Sequence, residues 1–103
     1  MDIRETSDHI IDWNEEKNKW LQENRGVSFE LITVQLMNKE VVDIVAHNSD
    51  GYSHQYIVLI NIEDYIYAVP FVLDEKREVI FLKTIIPSRK FTKKYLGKKY
   101  GKK

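Results

Sequence analysis

The spacing of apolar side chains changes period near residue 40, and this change constrains the fold more than any other feature of the chain. Before it, Trp13, Lys17, Trp20, Leu21 and Asn24 fall at three- and four-residue intervals. That spacing predicts a helix over residues 15–23, with Trp20 and Leu21 as its buried stripe. Asp12 or Asn14 caps its start, and Glu15 and Glu16 sit at the positive end of its dipole. Arg25-Gly26 stops it, because glycine readily takes the left-handed conformation at a helix C-terminus. Ser28 opens a second helix, whose apolar face is Phe29, Ile32, Val34, Leu36 and Met37. Ile10, Ile11 and Trp13 ahead of the first helix read as a short strand or an apolar lead-in.

After residue 40 the period is two. Residues 41–46 form a strand, followed by the turn signal His47-Asn48-Ser49-Asp50-Gly51. In residues 54–61, His54, Tyr56, Val58 and Ile60 take one face and Gln55, Ile57 and Leu59 the other, and residues 65–73 alternate likewise after the turn Ile62-Glu63-Asp64. Pro70 in the second of these cannot donate to a ladder, which implies an edge or a bulge. Residues 78–86 form the most apolar strand, expected at the centre of the sheet, and Pro87 ends it. Ser88 caps a helix over residues 89–96, closed by Gly97. Short turns between successive strands predict antiparallel pairing. The expected fold is α+β: an N-terminal αα-hairpin, a four-stranded antiparallel sheet and a C-terminal basic helix. It forms a single domain over residues 1–103, with residues 98–103 as a mobile basic tail.

Charge is distributed as unevenly as hydropathy. Residues 83–103 hold nine of the sixteen Lys and Arg and none of the sixteen acids. Residues 1–82 therefore carry a formal −9 and the remainder +9. A basic end on an acidic domain points to a polyanion or an acidic partner at one place on the molecule. Cysteine is absent, which excludes disulfides, thiolate catalysis and Cys-based zinc sites and fits a reducing cytoplasm. No apolar run approaches the length of a membrane span, and no secretory signal is visible at the start.

The densest candidate for chemistry is the closing unit from Lys83 to Tyr95. On a helix, Arg89 and Lys93 lie on one face at i, i+4, as do Lys90 and Lys94. Phe91 and Tyr95 share that spacing and dock on the sheet. The helix start at Ser88 offers backbone N–H groups to a phosphate, Arg89 grips it in a bidentate way, and Lys83 reaches the same space. The bland alternative is a solvated basic tail. Tyr56 stands on one strand face with His54, where its ring either stacks a base or packs across the strands. His54 is the one histidine placed for proton transfer, with a hydrogen-bonded surface role as the alternative. His9, His47 and His54 are too dispersed to form a metal motif, and no cofactor signature is present.

Two blocks carry a family resemblance. Ile11-Asp12-Trp13-Asn14-Glu15-Glu16-Lys17-Asn18, followed by Asn24-Arg25-Gly26-Val27-Ser28-Phe29-Glu30, resembles the opening of the BrnT family of bacterial toxins. That family begins with a hydrophobic-Trp-Asp/Asn-x-x-Lys-Asn pattern and continues into Lys/Arg/His-Gly-Val-Ser-Phe-Glu. The resemblance implies a RelE-like fold and a ribonuclease toxin of a type II toxin–antitoxin system. It implies as partners RNA, a ribbon-helix-helix antitoxin, and operator DNA reached only through that antitoxin. At the closing strand and helix, Arg89 and Lys90 match the family's basic pair. Lys83 or Thr84 stands where the family has an arginine, and Tyr95 stands near its glutamate. His54-Gln55-Tyr56 replaces an Arg-Phe.

Such a nuclease needs neither metal nor cofactor. The RNA 2′-OH attacks the adjacent phosphate, and the protein supplies a base, an acid and positive charge. Lys83 or His54 is the expected base, and Arg89 and Lys90 hold the phosphate. Tyr95 or Tyr56 donates a proton or stacks a base, and Lys93 and Lys94 add RNA contacts. The alternative is a catalytically silent relative that docks an antitoxin or nucleic acid through the same basic end.

Overall fold

The computed structural model describes residues 9–46 and 55–100, with residues 98–100 described by backbone alone. The elements run β1 (Ile10–Trp13), α1 (Glu15–Arg25), α2 (Phe29–Met37), β2 (Asp43–Ala46), β3 (Gln55–Ile62), β4 (Tyr65–Asp74), β5 (Val79–Leu82), β6 (Ile86–Pro87) and α3 (Arg89–Tyr100). His54 and the turn at residues 47–51 lie outside the described residues, as do residues 101–103.

The α+β class holds, but the four-stranded antiparallel sheet is corrected. The sheet has six strands in the order β1-β5-β4-β3-β2, with β6 also paired to β4. It is mixed, because β1 joins the edge parallel to β5, with Ile10 opposite Val79 and Trp13 opposite Leu82. The first bond of that pair runs from Ile10 N to Glu78 O at 2.8 Å. Four residues with alternating exposure are too short for periodicity to separate a strand from a lead-in.

The central strand is β4, where β5 was expected, and it contains Pro70. Pro70 O accepts from Lys83 N at 2.8 Å, so this residue's main-chain polar edge faces the β5 side. There the ladder is interrupted between Leu82 and Ile86, which splits the expected strand over residues 78–86 into β5 and β6. The proline's missing donor falls at that break, and the central strand tolerates it.

Both sheet faces are covered by helices. On one, Leu21, Phe29 and Ile32 of α1 and α2 bury against Val58, Ile60, Val69, Phe71, Ile80 and Leu82. On the other, Phe91, Tyr95 and Leu96 of α3 cover Leu59, Ile66 and Ala68. Trp20 is 42% exposed, not part of a buried stripe. The inward position beside Leu21 belongs to Asn18, and Trp20 lies against Lys17 and Arg25 at 4.6 and 4.9 Å. On α2, Val34 and Met37 are likewise exposed.

Local signals behave as the side chains dictate. Asn14 caps α1 by accepting from Lys17 N at 2.9 Å, and Gly26 ends it at φ 68°. Asn18 then joins the two helices. Its side-chain oxygen accepts from Phe29 N at 2.8 Å, and its amide donates to Glu30 Oε1 at 2.8 Å. Trp13 stacks on Phe29 with ring centroids 5.7 Å apart. The two blocks that carry the sequence resemblance are thus one packed unit on the face away from α3.

Candidate nucleic-acid interface

Ser88 and Thr92 fasten α3 to the sheet through a single residue of β4. Ser88 N donates to Ile66 O at 2.9 Å, and Ile66 N donates to Thr92 Oγ1 at 2.9 Å. Thr92 Oγ1 in turn donates to Ser88 O at 2.7 Å, and Ser88 Oγ caps the helix by accepting from Phe91 N at 3.1 Å. Thr92 is buried, so its bond from Ile66 N is shielded from water, while the Ser88 bonds are partly buried. Farther along, Tyr95 donates its hydroxyl hydrogen to Asp43 Oδ2 at 2.5 Å. That bond holds the tyrosine's pKa above its ordinary value, with partial desolvation and the aspartate's charge adding to the shift. The helix continues through Gly97 to Tyr100 across a kink at Leu96, beyond the end expected at Gly97.

With one side docked, the other side of α3 is cationic. Arg89, Lys90, Lys93 and Lys94 are all exposed. Lys90 lies over the Phe91 ring at 5.6 Å and Lys94 over the Tyr95 ring at 5.4 Å. Among the described residues, none of the four cations takes part in an ion pair. No acid stands in the first turn. The Ser88 cap satisfies Phe91 N, which leaves the N–H groups of Arg89 and Lys90 without an intrahelical acceptor at the N-terminal end of α3. Four unpaired cations at a helix start form a surface that attracts phosphates.

Lys83 stands apart from this group. Its N–H pairs with Pro70 O, whereas Ser88 N pairs with Ile66 O. The four-residue step along β4 places their backbones about 13 Å apart at the usual strand rise. Lys83 lines a shallow depression with Asp12, Val72, Asp74, Arg77, Val79 and Phe81. Arg89 and Lys83 therefore serve two places on one sheet face.

Tyr56 lies on the opposite face from α3. Its ring stacks on Phe71 with centroids 5.5 Å apart and packs against the α1–α2 side of the core. Its observed role is packing. The structure brings Arg89, Lys90, Lys93, Lys94 and the docked Tyr95 onto one helix, and leaves Lys83 at a neighbouring depression.

Two contributors escape a reading of the sequence. Thr92 sits four residues after Ser88, a spacing that marks a hydroxyl able to bond back along a helix. Phe81 sits two residues before Lys83, which puts both on one strand face.

Among the described residues, no helix is long and apolar enough to cross a membrane. In three comparisons the chain matches no protein-family model, no curated protein and no solved structure.

Proposed function

We propose that the chain contacts RNA through the outward cations of α3 and serves as the ribonuclease toxin of a cytoplasmic toxin–antitoxin pair. One observation carries the RNA contact: Arg89, Lys90, Lys93 and Lys94 stand exposed and without ion-pair partners on a helix held rigidly from its other side. Cations on a docked helix lose less backbone freedom on meeting a phosphate than cations on a loose tail. The cleavage step and the ribbon-helix-helix antitoxin come from the resemblance in residues 11–30.

In this reading Arg89 and Lys90 hold a phosphate oxygen, and positive charge offsets the negative charge that builds as the 2′-oxygen attacks phosphorus. The 2′-OH proton passes to a base; with Lys83 about 13 Å along the strand from the α3 cap, His54, which lies outside the described residues, is the remaining candidate. The 5′-oxygen leaves with a proton, and the products are a 2′,3′-cyclic phosphate and a 5′-hydroxyl. The test is a labelled RNA incubated with purified chain in the presence of a chelator. Arg89→Ala is expected to abolish both cleavage and growth arrest. Unchanged cleavage in that variant overturns the proposed role of α3.

A second reading, a binding module without nuclease activity, is favoured by two distances. The Tyr95 hydroxyl is already committed to Asp43 at 2.5 Å. The Lys83 backbone lies about 13 Å along the strand from the α3 cap. Salt-sensitive RNA binding with intact RNA recovered after long incubation is the outcome this reading expects.

A further inference from the structure

The part of the sheet face that α3 does not reach carries a second ordered surface. Its layout follows from strand register. Asp12 of β1, Phe81 of β5 and Val72 of β4 are consecutive partners across the sheet and point to one side. The next row is Ile10, Val79 and Asp74. Lys83 follows Phe81 by two residues and so extends the same face, beside Pro70. A half-buried aromatic ring thus stands beside Val72 and Val79 on one face, with a carboxylate on one side and an ammonium at one end.

The charged groups differ in availability. Asp74 is engaged by Arg77, whose N–H donates to Oδ1 at 3.2 Å and whose Nε lies 3.8 Å from Oδ2. Asp12 uses Oδ1 to accept from Trp13 N at 2.8 Å and presents Oδ2 to solvent from an exposed position. Lys83 is exposed and has no ion-pair partner among the described residues. Outside the Asp74–Arg77 pair, an aromatic platform, one acceptor-only group and one cation complement a flat ring that carries donors at its edge and a phosphate at one end.

We propose that this depression is a nucleotide subsite that selects bases bearing an exocyclic amino group. The base stacks on Phe81, Lys83 takes a phosphate oxygen, and Asp12 Oδ2 accepts from the amino group. Uracil is disfavoured because its single ring N–H lies between two carbonyl oxygens, which an acceptor-only carboxylate repels. The proposal rests on the RNA reading for its ligand class and adds base selection to it.

The experiment is a nuclear magnetic resonance titration of the labelled full chain with cytidine 5′-monophosphate and, separately, uridine 5′-monophosphate. Cytidine monophosphate is expected to shift the Phe81 ring and the Val72 and Val79 methyl groups, with apparent affinity several-fold above that of uridine monophosphate. Phe81→Leu keeps the face apolar and is expected to weaken cytidine monophosphate binding about tenfold. Asp12→Asn turns the free acceptor into a donor and is expected to reverse the preference toward uridine monophosphate. Because Asp12 is exposed, this second variant keeps the test open even if Phe81→Leu does not fold. Absence of shifts at these three residues, or an identical response to both nucleotides in the native chain, overturns the subsite. Arg89→Ala/Lys90→Ala separates the two readings, with binding of a labelled cytidine decamer measured alongside. Weakened decamer binding without a monophosphate response leaves α3 as the RNA surface and sinks the subsite. A monophosphate response with decamer binding indifferent to the α3 change supports the subsite and sinks the α3 reading.

Discussion

Tyr95 and Asp43, 52 residues apart, join the last helix to the edge strand β2 through a 2.5 Å hydrogen bond. The bond requires the tyrosine's proton, and the tyrosine's pKa is accordingly raised above 10.0. A raised pKa on an acid that is neutral when protonated adds stability below its unfolded value. That contribution is lost as pH climbs through the folded value. Thermal unfolding followed between pH 8 and 11 is expected to show a decline above about pH 10 that Tyr95→Phe reduces. The variant is also expected to melt lower than the native chain at pH 8. An unchanged profile in Tyr95→Phe would assign the alkaline decline to other groups.

Thr92 is expected to matter to RNA binding without touching RNA. Thr92→Val keeps the shape but leaves Ile66 N–H buried without its acceptor. The expected cost is about 1–3 kcal/mol. α3 then loses part of its anchor, and decamer affinity should fall with stability. Thr92→Ser restores the hydroxyl and is expected to recover both. Chemical denaturation and fluorescence anisotropy on the three proteins decide the matter.

The salt dependence of RNA binding reports how many α3 cations meet phosphates. Each contact on a single strand contributes about 0.7 to the slope of log affinity against log salt. Lys93→Ala and Lys94→Ala are each expected to reduce the slope by about that amount. A slope unchanged in both variants would confine phosphate contact to Arg89 and Lys90.

Asn18 is the hinge pin between α1 and α2. Asn18→Ala strands Phe29 N–H in a buried position and removes the main group that lowers the pKa of Glu30. The expected loss is about 2 kcal/mol or more, read by urea denaturation. Glu30 has a depressed pKa, so its contribution is present above 4.5 and is lost as pH falls through the folded value. The acid limb of stability should therefore flatten in Asn18→Ala.

The tight turn between β3 and β4 places Glu63 at φ 53° and Asp64 at φ 65°. Asparagine tolerates this region better than glutamate. Glu63→Asn is expected to raise the melting temperature by a few degrees.

The sequence disclosed elements more readily than their partners. Asn14, Gly26 and Ser88 act locally, so their capping roles follow from residue type and neighbours. The identity of α3 as a docked basic helix follows from Phe91 and Tyr95 at i, i+4 against Arg89, Lys90, Lys93 and Lys94. Parallel pairing of β1 with β5 depends on a contact between residues far apart in the chain, which no local period encodes. Trp20 misled for a related reason. Helical spacing identifies a stripe but does not tell which neighbour of Leu21 turns inward, and Asn18 turned inward because Phe29 N–H and Glu30 needed partners. The separation of Lys83 from Ser88 was hidden because adjacency along the chain was read as adjacency in space, whereas the intervening segment is extended.

The parallel pair of β1 and β5 has a consequence for the order of events in folding. Its partners Ile10 and Val79 lie 69 residues apart (79 − 10), and closing so large a loop spends conformational freedom before contacts return any energy. β1 is also short and lies at a sheet edge. Such a strand docks late and opens early, so its amide protons should exchange with solvent faster than those of β4 and β5. Asp12 rides on that strand, while Phe81 belongs to β5 and Lys83 follows it, both paired to β4 on the other side. When β1 opens, Phe81 and Lys83 stay with the sheet through β4, and the Asp12 carboxylate leaves with its strand.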